Sequence, residues 1–150
     1  MLFLKALLAF LVLPGTIAFA VPLLLLKPAA APLRMPGVLV VAAGSALLLW
    51  CVSEFYVSGR GTLAPWSPPR TLVVTGLYRF SRNPMYVAVI LILWGWAAGY
   101  QSPGLAVYAL GIMLGFHLRV VFGEEPWLAR RHGQQWERYK ASVPRWFGPV

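Results

Sequence analysis

Four long apolar runs divide this 150-residue chain, and they restrict its fold more than any other feature. A helix crossing the hydrocarbon core needs ~20 predominantly apolar residues. The runs cover about 2–26, 36–57, 84–100 and 104–122. Only 11% of the residues are charged, where soluble domains carry about 25%, so the bilayer is the expected solvent. The expectation is an all-α, polytopic membrane helical bundle: four transmembrane helices and a short cytoplasmic C-terminal helical tail, in one domain over 1–150.

The first run competes with a signal peptide, since Ala18-Phe19-Ala20 resembles a small-residue cleavage site. The apolar stretch continues past that site to Leu26, so a retained span is expected. The third run is short, and Pro84 suits the first position of its helix, where a missing N–H costs nothing. Cys51, the single cysteine, lies inside an apolar run and reads as core.

Charge sets the direction. Arg60, Arg70, Arg79 and Arg82 follow the second run; Arg130, Arg131, Arg138, Lys140 and Arg145 follow the fourth. The connection after the first run has only Lys27 and Arg34, and Gln101-Ser102-Pro103 has no charge. By the positive-inside rule, both termini, the connection 58–83 and the tail 123–150 face the cytoplasm. An integral, multi-pass protein follows, in the inner membrane if the source is bacterial. With 13 basic residues against 4 acids, nucleic-acid binding is the competing reading. It is disfavoured because no soluble basic domain is present to carry it.

The connection 58–83 is rich in Gly and Pro and reads as irregular structure over the cytoplasmic mouth. In the tail, Pro126 opens a short helix, Gly133 breaks it, and Gln134 to Ala141 form a second helical piece. Trp127, Trp136, Tyr139 and Trp146 fit an interfacial aromatic belt.

Ionisable groups inside a membrane are costly and need a reason. Glu54, Arg82, Asn83, Tyr86, His117, Arg119, Glu124 and Glu125 all fall at the cytoplasmic ends of their spans. Snorkelling explains Arg130 and Arg131. It explains Glu124 and Glu125 less well, since adjacent carboxylates repel. On a continuous helix His117 and Glu124 share a face while Arg119 points elsewhere. His117 has no partner at ligand spacing, so no metal is expected.

The segment Thr75-Gly-Leu-Tyr-Arg-Phe-Ser-Arg-Asn-Pro-Met-Tyr86 resembles the Gly-x-Tyr-Arg…Arg-(His/Asn)-Pro-x-Tyr motif of isoprenylcysteine carboxyl methyltransferases and related phospholipid methyltransferases. The tail Glu124-Glu125-Pro-Trp-Leu128…Gly133-Gln-Gln-Trp136-Glu-Arg-Tyr139…Val143-Pro144-Arg145 is similar to the family's ending, and Gly59-Arg-Gly-Thr-Leu-Ala-Pro65 to the stretch before the first motif. Coverage is about residues 58–149, and the first two spans match only in character. The resemblance implies a cytoplasm-facing pocket for S-adenosylmethionine. Tyr78, Arg82, Asn83, Pro84, Tyr86, Glu124 and Glu125 would bind the cofactor, and Arg119 matches more loosely. Trp136 stands where the family usually has a tyrosine, which puts a hydroxyl contact there in doubt.

The chemistry suits such residues. A zwitterionic donor belongs at the mouth and not deep in hydrocarbon. Arg82 can hold a carboxylate, Glu124 or Glu125 can accept ribose hydroxyls, and Tyr78 or Tyr86 can cover the adenine or the sulfonium. A lipid-like acceptor reaches the site from the surrounding membrane lipids. Arg119 can orient a carboxylate acceptor, and His117 or Glu54 can take the proton of an amine. The competing expectations are an NADPH-dependent membrane reductase and a non-catalytic membrane subunit or transporter.

Overall fold

The computed structural model describes residues 11–26, 32–58 and 71–148. Arg60, Arg70, Lys27, the stretch 59–65 and the start of the first run lie outside the described residues. Within them every regular element is helical. Helix α1 is a π-helical stretch, Leu11–Ala20, that runs into α-helix Val21–Leu25. Helix α2 is Met35–Val57, α3 is Pro84–Tyr100 and α4 is Pro103–Arg119. A π-helical turn, Val120–Glu124, joins α4 to α5, Glu125–His132, and α6 is Gln134–Ser142. Met35–Glu54 and Pro103–His132 are long and apolar enough to cross a membrane; Pro14–Leu25 and Pro84–Tyr100 are apolar but shorter.

Helix α3 is the axis of the bundle. Its seventeen residues reach about 26 Å, just under a hydrocarbon core of ~30 Å. Ala88, Val89, Ile92 and Leu93 are buried against Ala18, Leu48 and Ala109 of the three other long helices. Helices α2 and α3 run antiparallel at close range. A Cβ on Gly44 would sit 2.8 Å from Ile92, and one on Gly95 would sit 2.8 Å from Val41. Gly37 and Gly99 meet backbone to backbone farther along the same seam. Small residues allow this approach, and the seam gains dispersion contacts from it.

Helix α1 is tied to the bundle by its own carbonyls. Trp96 Nε1 donates to Ala18 O at 2.9 Å, and Tyr108 Oη donates to Ile17 O at 3.1 Å. The α3–α4 hairpin turns through Gln101, whose φ is +48°. Ser102 caps α4 by accepting from Leu105 N at 3.4 Å. An open apolar groove of about 250 Å³ lies at this turn, lined by Trp94, Ala97 and Ala106 among others. It is at the far end of α3 from Arg82, Asn83 and Tyr86.

The sequence boundaries fare unevenly. Helix α3 starts at Pro84 as its proline predicts, and Gly133, at φ +49°, separates α5 from α6. Cys51 is fully buried beside Val73 and Tyr78. The fourth apolar helix does not stop near 122, because the π-turn carries it without a break into the tail. The expected aromatic belt is corrected too: Trp136 and Tyr139 are buried with Val143, Leu72 and Leu128, and form a small core under the tail.

Candidate active site

At the end of the bundle remote from the α3–α4 turn, the chain approaches α3 through a 3-10 turn, Gly76–Arg79. Gly76 has φ +55°, a conformation strained for other residues, and a Cβ there would lie 2.6 Å from Glu54 Oε1. Glu54 Oε2 accepts from Thr75 Oγ1 at 2.6 Å and from Ser58 Oγ at 3.0 Å. These bonds fasten the turn to the end of α2. Tyr78 is 5% exposed and packs on Cys51 and Val73. Its carbonyl accepts the Tyr139 hydroxyl at 2.7 Å, which pins α6 to the turn.

Ser81, Arg82 and Asn83 are bonded to the tail. Arg82 N donates to Pro144 O at 2.9 Å, and Asn83 Nδ2 donates to Arg145 O at 3.0 Å. Ser81, fully buried, donates from Oγ to Arg145 O at 3.3 Å and accepts from Asn83 N at 3.1 Å. The Arg145 side chain then turns to Glu125 and takes both of its oxygens, Nε to Oε1 at 2.7 Å and Nη2 to Oε2 at 2.9 Å. Such bidentate pairs are among the stronger polar contacts, and this one raises the Arg145 pKa above its ordinary value.

Arg82 stands on the other side of Glu125. Its side chain is 8% exposed, and Nη1 lies 3.0 Å from Glu125 Oε1. The approach is out of line: Nε and Nη1 are both buried and neither has a hydrogen-bond partner. The guanidinium lies over the Trp136 ring, 5.4 Å from its centroid. Burial draws the Arg82 pKa below its ordinary value, while the Glu125 charge works against that shift. A guanidinium titrates so high that it stays charged. Two buried donors on a cation therefore want an acceptor.

A second cluster adjoins the first. The Tyr86 hydroxyl donates to Glu124 Oε1, Arg119 Nε donates to the same oxygen at 2.8 Å, and Arg119 Nε also lies 3.2 Å from Tyr86 Oη. Tyr86 stacks on Phe116 at 4.3 Å between ring centroids. The Arg119–Glu124 pair corrects the expectation that Arg119 faces another wall. On an α-helix residues five apart diverge by about 140°. The π-helical turn, with i→i+5 bonding, brings position 124 back beneath position 119. The twin glutamates thus do not share a field: Glu125 has Arg82 and Arg145, and Glu124 has Arg119 and Tyr86.

The model of the phospholipid methyltransferase family matches residues 33–135. The chain belongs to that family. No curated protein and no solved structure gives a significant match. The family match begins earlier than the motifs suggested, since it takes in α2, and it ends before Val143-Pro144-Arg145. The family's name describes methyl transfer to phospholipids, which makes an enzyme acting on lipid-like substrates the reading for this chain.

Within this family member the structure brings together Arg82, Asn83, Pro84, Tyr86, Arg119, Glu124 and Glu125. Three other residues from the sequence reading have different partners. Glu54 is held by Thr75 and Ser58, the Tyr78 ring is in the core, and His117 is exposed and stacks on Trp146 at 6.2 Å. Arg145 and Ser81 are the residues that sequence reasoning passed over. The signal for Arg145 was available, as the cation closing the Val-Pro-Arg ending, but nothing in the sequence names Glu125 as its partner.

Proposed function

We propose that this chain is an integral-membrane enzyme that moves a methyl group from S-adenosylmethionine to a lipid-like or isoprenylated acceptor at the cytoplasmic face. In this reading all four apolar helices cross the bilayer, with both termini in the cytoplasm. The observation that carries it is the buried Arg82 guanidinium, which has two unpartnered donors beside the paired glutamates at the mouth of an apolar bundle.

When bound, S-adenosylmethionine would supply an electrophilic methyl on a sulfonium, taken in line by the acceptor's lone pair as the C–S bond breaks and the neutral thioether leaves. The residues present fit it. Arg82 would take the methionyl carboxylate on Nε and Nη1, which lack an in-line acceptor. Glu124 would accept a ribose hydroxyl or face the positive sulfur, and Tyr86, stacked on Phe116, would cover the same region. Asn83 and Pro84 fix the start of α3, and Glu125 fixes Arg82. Tyr78, buried at 5% exposure, supports the site from below instead of lining it.

Arg119 is the most accessible member, with 57% of its side chain exposed. It would orient a carboxylate acceptor arriving from the lipid past Leu118 and Phe122, both exposed. For an amine acceptor the exposed His117 is the better base. Glu54 is already committed to Thr75 and Ser58 and is assigned to the fold of the turn.

The test is incubation of the purified protein with labelled methyl donor and native lipid extract. Label in an extractable lipid is the expected result; no label in any lipid contradicts the reading. Thermal stabilisation by S-adenosylhomocysteine but not by NADPH separates this enzyme from a membrane reductase.

A further inference from the structure

Glu125 has two arginines within reach and treats them differently. Arg145 takes both carboxylate oxygens in line, at 2.7 and 2.9 Å. Arg82 comes to 3.0 Å without alignment and keeps Nε and Nη1 unpartnered. Buried charged donors ordinarily find acceptors, and Glu125 is the acceptor closest to hand. Both of its oxygens are already taken in line by Arg145. The Arg145 backbone is itself fixed, since its carbonyl accepts from both Ser81 Oγ and Asn83 Nδ2. Arg82 N is tied one residue earlier, to Pro144 O.

We infer that Arg145 is a positioning residue for the methyl donor: it keeps the Glu125 carboxylate, 3.0 Å from Arg82 Nη1, out of line with that guanidinium, so that Arg82 Nε and Nη1 are left for the donor's carboxylate. The inference rests on the methyl-donor reading above. Arg145 itself does not touch the donor. Its removal releases Glu125 to pair with Arg82 in line, and the donor must then displace an internal carboxylate to bind. Lysine at this position keeps the charge but has no planar fork to occupy both oxygens, so Arg145→Lys is an intermediate case.

The experiment measures S-adenosylhomocysteine affinity and the KM for S-adenosylmethionine in detergent, for wild type, Arg145→Met and Arg145→Lys. Arg145→Met is expected to raise donor KM and weaken S-adenosylhomocysteine binding by about 10- to 100-fold, the loss of one hydrogen bond to a charged group. The kcat at saturating donor and the KM for acceptor lipid should stay within about threefold, because Arg119, Glu124 and Tyr86 are untouched. Arg145→Lys should fall between. Wild-type donor affinity in both variants overturns the inference, as does a loss of kcat and of both KM values in proportion to a loss of fold. If Arg145→Met does not fold, Arg145→Lys decides alone: a selective rise in donor KM supports the inference and an unchanged KM overturns it. Absence of binding by the wild-type protein sinks the methyl-donor reading instead, which separates the two failures.

Discussion

Glu124 and Glu125 are neighbours in the chain and belong to opposite kinds of environment. Glu125 and Arg82 are nearly enclosed, with side-chain exposures of 13% and 8%, and the pair is closed by Arg145, Trp136 and the backbone of 144–145. Glu124 and Arg119 are open, at 33% and 57%, and border exposed Leu118 and Phe122 on the apolar flank. Removing one partner of a buried pair leaves an uncompensated charge, whereas an exposed pair contributes little to stability. The inner network is therefore suited to holding one polar ligand in a fixed place. The outer one is suited to meeting a varied, lipid-borne group.

That contrast can be broken at several points. The largest effect is expected from Glu125→Ala, which strips both Arg82 and Arg145 of their carboxylate. Loss of about 3–5 kcal/mol is expected, read as a fall in the thermal midpoint in detergent, and an unchanged midpoint would deny that the inner network supports the fold. Trp136→Ala follows, at about 3 kcal/mol from an emptied core position, with donor affinity falling because Arg82 loses the ring beneath it. Unaltered donor affinity in a folded Trp136→Ala protein would uncouple that ring from the site.

Tyr86→Phe sharpens the comparison from the outer side. It removes one hydroxyl from Glu124 and Arg119 and should cost about 1.5 kcal/mol, with a measurable rise in donor KM. Arg119→Ala should change stability by less than about 1 kcal/mol yet lower methyl transfer to the acceptor at least tenfold. Equal losses of stability in Arg119→Ala and Glu125→Ala would erase the distinction between the networks. The smallest effect is that of salt. Raising ionic strength should weaken an Arg119-dependent acceptor KM and leave donor affinity nearly unchanged, since screening acts on exposed pairs.

What the sequence disclosed, and what it hid, follows the range of the forces involved. Apolar runs, Pro84 and Gly133 act locally, and the helices they mark are present where expected. That two of them are long and apolar enough to cross a membrane is an equally local consequence of composition. The π-turn at Val120–Glu124 leaves no such mark, because a helix that adds one residue to a turn is paid for by tertiary contacts, here the Arg119–Glu124 and Tyr86–Glu124 bonds. A strict 3.6-residue period therefore misassigned the face of Arg119. The burial of Trp136 and Tyr139 was hidden for a similar reason. Their partners, Leu72 and the Tyr78 carbonyl, come from a segment some sixty residues away, and periodicity within the tail carries no trace of it.

The account depends on a methyl donor being held between the first residues of α3 and the two glutamates. Equilibrium titration of the detergent-purified protein with S-adenosylhomocysteine measures this most directly, alongside a variant combining Glu124→Ala with Glu125→Ala. Saturable binding by the wild type and its loss in the folded variant is the result the account requires. Equal affinity in the two proteins, or no saturable binding by the wild type, would contradict it.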